Sequence, residues 1–268
     1  DSLNFDDLKS YEILESSDSL KLVDFIGNQT KEIIEINHQK GKLVANLERQ
    51  NQELNDYAHM VSHDLKSPLQ SIDALTTWVR EDYSESLGEG GSEIINLIRE
   101  NVEKMDTLIQ GILEYSTIGK VEKKFYDIDL NSLIEDLIVT IDNPKDVKVY
   151  ILNKLPVING DQYRIELLFN HLIDNAIKFN DKNEEGFVEI NCIEEEKFWK
   201  FSIKDNGKGV EERFFEKIFV AFQKLENDYK STGIGLSIAK KIVEAYHGEI
   251  SIESKPGIET VFYFTLKK

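Results

Sequence analysis

One cysteine, four prolines, two methionines and two tryptophans are all that 268 residues contain of those types. The lone thiol, Cys192, excludes an intramolecular disulfide framework and makes a reducing, cytoplasmic compartment the default expectation. No apolar run approaches the ~20 residues of a membrane helix, and no signal-peptide pattern opens the chain. The first residue is Asp1, not Met, so the chain is expected to be part of a longer or processed protein whose upstream sequence can carry a membrane span. Cations are also scarce: 32 Lys plus Arg face 50 Asp plus Glu, a formal net charge of −18. That balance excludes a general nucleic-acid binder, whose surface has to neutralise phosphates. It argues equally against an anionic membrane surface. Any phosphate-bearing ligand has to be held by a local cluster against an acidic background.

What is present is a globular mixture, 40% hydrophobic and 31% charged, long enough for one or two domains with a sizeable core. Residues 1–30 read weakly as helix. From Ile33 the positions Ile33, Ile36, Lys40, Leu43, Leu47, Gln50, Leu54, Tyr57 and Val61 follow alternating steps of three and four. Such a seam predicts a coiled coil, in which each helix buries its stripe against a partner. The helix is expected to run to about Tyr83 with a kink at Pro68, where an intrahelical donor is missing. The glycine-rich stretch Ser84–Gly91 reads as a turn, and Ile94–Leu113 as a second helix. Two long helices joined by a short turn make a hairpin with too little core of its own, so a homodimeric four-helix bundle follows.

After the charged linker Lys120–Lys124 the pattern changes. Strands are predicted at Phe125–Leu130, Val147–Ile151, Phe187–Glu194, Phe198–Asp205, Glu249–Glu253 and Thr260–Leu266, and helices at Asn131–Ile141, Gln162–Phe179 and Ile234–Tyr246. The expected architecture is an all-α helical hairpin followed by an α+β layer of helices on a mostly antiparallel sheet. The domains fall at 1–52 (helical signalling segment), 53–119 (dimerisation) and 125–268 (ligand-binding).

Four segments carry chemistry. In Tyr57–Leu69 (YAHMVSHDLKSPL), His59 and His63 share a helix face. The metalloprotease version of that spacing needs Glu after the first His, and position 60 is Met. Asp64 can orient the His63 ring, leaving its other nitrogen as a nucleophile. Ser67 lies one turn on. In the helix Gln162–Phe179, His171, Asn175 and Lys178 share a face; an Asn carbonyl suits Mg²⁺, and Lys reaches phosphate. In Asp205–Val210 (DNGKGV) a strand ends in Asp, able to accept an adenine amine, and glycines let backbone approach a flat ligand. Thr232–Leu236 (TGIGL) opens a helix whose N–H groups favour anions, although neither the dinucleotide fingerprint nor the P-loop pattern is matched. The long connection 211–232, rich in Phe, suggests a lid.

In order and spacing these segments resemble the catalytic core of a sensor histidine kinase. VSHDLKSPL resembles the phospho-acceptor box of the HisKA dimerisation domain. HLIDNAIKF resembles the asparagine box, DNGKGV and TGIGLSIAKKIVE the two glycine boxes, and IFVAFQKL the phenylalanine box. The resemblance covers about residues 45–268. It implies an ATP-binding domain of the Bergerat type, the α/β sandwich of gyrase and mismatch-repair ATPases. It implies that His63 is phosphorylated by ATP with Asp64 as general base, and that Ser67 stands where many members position water for dephosphorylating the partner. Asn175 would bind Mg²⁺, with His171 as a second candidate ligand, and Lys178 and Lys224 would meet the phosphates. Asp205 would bind the adenine amine. Phe179, Gly207 and Gly209 would shape its pocket, and Thr232, Gly233, Gly235 and Leu236 would line the phosphates. The implied partners are a second copy, the receiver domain of a separate response regulator whose Asp takes the phosphoryl group, and an upstream sensor.

Three positions depart from the family pattern: His171 replaces a common Asn, Ser231 a glycine, and Glu259 a glycine near the C-terminus. Two rival readings use the same residues. A Bergerat-fold ATPase working as a conformational machine needs no His-Asp pair on a dimer helix. A pseudokinase scaffold has no need of Asn175, Lys178 and Asp205.

Overall fold

The structure, a computed structural model, describes residues 5–118, 125–225 and 232–268, with side chains from residue 26 onward apart from positions 84, 85 and 183. The linker Lys120–Lys124 and the departure at Ser231 lie outside the described residues. The chain divides into two compact units, residues 1–57 and 58–268.

The first unit is the leading part of helix α1 (Phe5–Asp82). Its apolar seam faces solvent: Leu43 is 67% and Leu54 66% exposed, with Ile33, Ile36, Leu47 and Tyr57 similarly open. A stripe of that length left uncovered is the signature of a helix whose partner is another chain.

The second unit opens with the rest of α1, which passes through Pro68 as one uninterrupted helix. Pro68, where a kink is expected, does not end the helix. A single proline removes one ladder bond, and Leu69 beside it is buried in the hairpin core. Helix α2 (Ser84–Thr117) returns alongside. The expected turn over Ser84–Gly91 coincides with two interruptions of helical structure. At Tyr83 the backbone leaves helical geometry, and its carbonyl receives the amides of Ser86 and Leu87 at 2.9 Å each, forming a single helical turn. Gly88 then interrupts α2 at φ 59°, ψ −176°, a conformation open almost only to glycine. The two helices bury a small cluster, Leu69, Val102 and Ile109, and Arg99 Nε approaches Asp73 Oδ1 at 3.5 Å.

The rest folds as strand β1 (Tyr126–Asp129), helix α3 (Leu130–Thr140), β2 (Lys148–Ile151), β3 (Val157–Gly160), α4 (Gln162–Lys178), β4 (Phe187–Glu194), β5 (Phe198–Asp205), α5 (Gly235–Ala245), β6 (Ile250–Lys255) and β7 (Glu259–Lys267). Several boundaries shift by a residue or two, and one strand is new. Leu130 belongs to α3 because Asp129 is its cap, accepting from the Asn131 amide at 2.9 Å. The strand β3 has no counterpart in the sequence pattern. It is four residues long, too short for alternation to register, and pairs antiparallel with β1 as a separate ribbon.

The main sheet has the order β2-β4-β5-β7-β6. Only β2 and β4 run parallel; every other pair is antiparallel. Its inner face presents alternate residues, among them Val188, Ile190, Phe201, Ile203, Phe262 and Phe264, to α3, α4 and α5. Phe169 of α4 sits edge-on to Phe201 and Phe264, with ring centroids 5.5 Å away in both pairs, and those two stack at 5.0 Å. Such contacts contribute about 0.5–1.5 kcal/mol each beyond area burial. Cys192 is buried within this core and its thiol is pushed up to about 12, chiefly by burial, which leaves it inert. Among the described residues no helix is long and apolar enough to cross a membrane.

Candidate nucleotide and phospho-acceptor sites

A cavity of about 440 Å³ opens between α4, the ends of β5 and β7, and the N-terminus of α5. It brings together His171, Asn175, Lys178, Phe179, Asp205, Gly209, Lys224, Thr232, Gly233, Gly235 and Leu236, all expected from sequence and far apart in the chain. Helix α4 starts at Asp161, whose carboxylate caps the Arg164 amide at 3.2 Å, and this start fixes the phase that turns His171, Asn175 and Lys178 to one side.

Asp205 ends β5 at the floor of the cavity and is buried. Burial pushes its carboxyl up to about 7, against the hydrogen bond it accepts from the Gly207 amide at 2.9 Å, and the negative charge of Asp181 adds to the rise. A carboxylate with spare acceptor capacity in a desolvated floor is matched to a neutral amine donor. Asn206 anchors the following turn: its side-chain oxygen accepts from the Phe187 amide at 2.8 Å and its amide donates to Glu185 O at 3.0 Å. Gly209 lies at φ 70°, and a Cβ there would stand 2.6 Å from Lys255 O. Only glycine passes between those backbones.

The anion side is built differently. Gly233 lies at φ 72° and its carbonyl accepts from the Phe222 amide at 2.9 Å, which ties the TGIGL segment to the phenylalanine-rich connection. Ile234 is buried, and α5 begins at Gly235, so that the head of the helix, with Gly235 and Leu236, lines the cavity. The ring of His171 packs here: a Cβ on Gly235 would lie 3.0 Å from its Nδ1. Its Nε2 is sealed from solvent without a hydrogen-bond partner, and burial pushes its pKa down to about 4, so the ring is neutral at pH 7.

The other chemistry sits apart. His63 projects from α1 with its side chain 82% exposed, and its Nδ1 lies 3.3 Å from Asp64 Oδ1. Ser67 is exposed one turn on. None of the three lines the cavity. Sequence reasoning missed Thr107 of α2, which forms part of the wall, as well as Asp174, Lys208 and Thr260. Asp174 and Lys208 lay inside quoted motifs and were open to discovery. Thr107 carries no local signal, because its place depends on how α2 packs against α5.

Residues 53–120 match the family model described as His Kinase A (phospho-acceptor) domain, and residues 160–268 match Histidine kinase-, DNA gyrase B-, and HSP90-like ATPase. The chain carries the catalytic core of a sensor histidine kinase. This kinase core is 39% identical to cyanobacterial phytochrome B of Nostoc sp. over 229 residues, covering 82% of the chain and 30% of that protein. It is 27% identical to the sensor histidine kinase WalK of Bacillus subtilis over 240 residues, covering 83% of the chain and 38% of that protein. The kinase core thus spans well under half the length of these curated relatives. Among solved structures, full-length ShkA in complex with AMPPNP aligns with a TM-score of 0.63 at 21% identity, over 79% of this chain and 45% of that one. The histidine kinase ThkA in complex with the response regulator TrrA aligns with a TM-score of 0.55 at 24% identity, over 82% and 65%. At those identities the likeness concerns fold.

The donor set of the kinase core fits a nucleotide that brings its own cation. Among the described residues no cluster of three His, Cys, Asp or Glu is arranged to hold a metal unaided. Mg²⁺ is commonly held by one or two protein groups together with phosphates and waters. The Asn175 side chain, one helical turn from His171 on the cavity wall, offers a neutral oxygen of that kind.

Proposed function

We propose that this chain autophosphorylates His63 from ATP and passes the phosphoryl group to an aspartate of a separate response regulator. The observation that carries the reading is the convergence of Asp205, Asn175, Lys178 and the TGIGL amides on one cavity, in a chain that also exposes a paired His63–Asp64. Asp205 accepts the adenine amine over the Gly207–Gly209 turn and beside Phe179. Lys178 and Lys224 meet the phosphates with Thr232, Gly233, Gly235 and Leu236, while Asn175, with His171, holds Mg²⁺. When bound, Mg²⁺ neutralises charge on the transferring group.

The Nε2 lone pair of neutral His63 attacks the γ-phosphorus in line, and the bond to the β-γ bridging oxygen breaks, releasing ADP. Asp64, on the Nδ1 side, takes the ring proton as positive charge builds. Positioning supplies most of the acceleration. Because His63 stands outside the cavity, transfer takes place from a second arrangement in which the ATP-binding layer is presented to the histidine. Ser67 is placed to help remove phosphate from the regulator.

The exposed seam of α1 supports a homodimer, with segments at 1–52, 53–119 and 125–268 serving signalling, dimerisation and ATP binding. The lone buried Cys192 suits a cytoplasmic setting, and upstream sequence or another protein supplies the stimulus. Incubation with γ-labelled ATP should yield acid-labile, base-stable phosphate on the chain, and His63→Gln should abolish it. Label that survives the substitution overturns the reading.

A further inference from the structure

His171 belongs to two surfaces at once. Its ring lines the nucleotide cavity, with Nδ1 against Gly235 at the head of α5. Its other nitrogen, Nε2, points out of the cavity to α2, where Glu114 Oε2 stands 3.8 Å away. That carboxylate is held in place: Gln110 Nε2 donates to Glu114 Oε1 at 3.1 Å, leaving Oε2 as the unengaged oxygen. The rest of the α2 contact aligns the pair. Gly111 packs against Ile234, and Lys241 Nζ donates to Tyr115 O at 2.7 Å while lying over the Tyr115 ring at 4.2 Å.

We infer that Glu114 is the positioning residue for His171, so that the cation-binding edge of the nucleotide cavity is complete only while α2 is docked against it. The inference rests on the ATP reading of the cavity. A histidine that binds a cation through one nitrogen commonly donates from the other to a carboxylate, which sets tautomer and ring orientation. An Nε2–H directed at Glu114 leaves the Nδ1 lone pair on the cavity side, beside Gly235. At 3.8 Å the bond is not yet made, and closure by about 1 Å brings it into range. Nε2 has no hydrogen-bond partner and Glu114 Oε2 is unengaged, so both groups gain when they meet. The carboxylate comes from the hairpin and the imidazole from the ATP-binding layer. Nucleotide-metal affinity and hairpin docking are then linked, each strengthening the other.

Calorimetric titration of the chain with a non-hydrolysable ATP analogue, with Mg²⁺, with Mn²⁺ and with chelator alone, tests this without relying on turnover. Glu114→Ala should weaken metal-dependent binding about tenfold and leave binding in chelator nearly unchanged. Glu114→Gln, the same size and still an acceptor, should restore most of the loss and guards against misfolding. In a His171→Asn background, Glu114→Ala should have no further effect, and the preference for Mn²⁺ over Mg²⁺ conferred by imidazole should shrink. Equal losses with and without metal, or a Glu114 effect that persists in the His171→Asn background, overturn the inference. Absence of any nucleotide binding by the unaltered chain would instead remove the ATP reading and this inference with it.

Discussion

The ATP-binding layer and the helical hairpin solve the burial problem in opposite ways. In the layer, Phe169, Phe201, Phe262 and Phe264 are all but inaccessible within one chain, and the sheet's inner face is fully covered. In the hairpin three residues form the buried cluster, while Leu65, Ile72, Leu75, Trp78, Ile94 and Leu97 face solvent. The layer is a self-sufficient fold; the hairpin is half of one. The candidate nucleotide cavity accordingly belongs to the self-contained layer, and His63, the proposed phospho-acceptor, belongs to the hairpin with the open apolar face.

The sharpest way to break this contrast is to fill the layer's narrowest passage. Gly209→Val should abolish nucleotide binding, read by calorimetry, because a side chain collides with the Lys255–Pro256 backbone, whereas dimerisation measured by light scattering should be unaffected. Next in size, Phe169→Ala should destabilise the layer by about 3–5 kcal/mol. Its melting should not depend on chain concentration, while the hairpin's melting midpoint should rise with it.

A smaller effect follows from Asp205. With its carboxyl pushed up to about 7, the ionised acceptor grows as pH rises through that value, so nucleotide binding should tighten up to about tenfold between pH 6 and pH 8. The apo layer should show the opposite trend, losing stability as pH climbs from the ordinary carboxylate range toward 7, since the folded state there holds the extra proton. Asp205→Asn should flatten both curves. Smallest of all, Arg99→Ala should lower hairpin stability by under about 1 kcal/mol in chemical denaturation, since its contact with Asp73 is long and partly solvated.

The sequence was most legible where a residue's role is set by its near neighbours. The seam of α1, the face shared by His171, Asn175 and Lys178, and the hairpin of β4 and β5 are periodic over enough residues to read directly. Legibility failed where partners are distant or elements short. Strand β3 is defined by its pairing with the distant β1, in register at Ile128 and Ile158. The cap of α3 fell on Asp129 because strand and helix meet without a loop. Thr107 and Glu114 show no motif, and their closeness to the cavity arises only from the packing of α2 on α5. Glu259, a departure from the family pattern, proves to be an ion-pair partner of Lys204 at 3.0 Å at the start of β7. The glycine-like freedom of that corner is retained at Gly257, where φ is 76°.

Gly111 gives the meeting of hairpin and nucleotide layer the character of a keyed shaft. A Cβ there would stand 2.8 Å from Ile234, the residue between the two glycines of the TGIGL cradle. One step along a helix turns its surface by about 100°, and the neighbours of Gly111 are Gln110 and Ile112, both bulky. Twisting α2 by one residue therefore drives a side chain into the cradle. The helix seats in a single rotational setting, and its orientation about its own axis bears directly on the TGIGL end of the cavity.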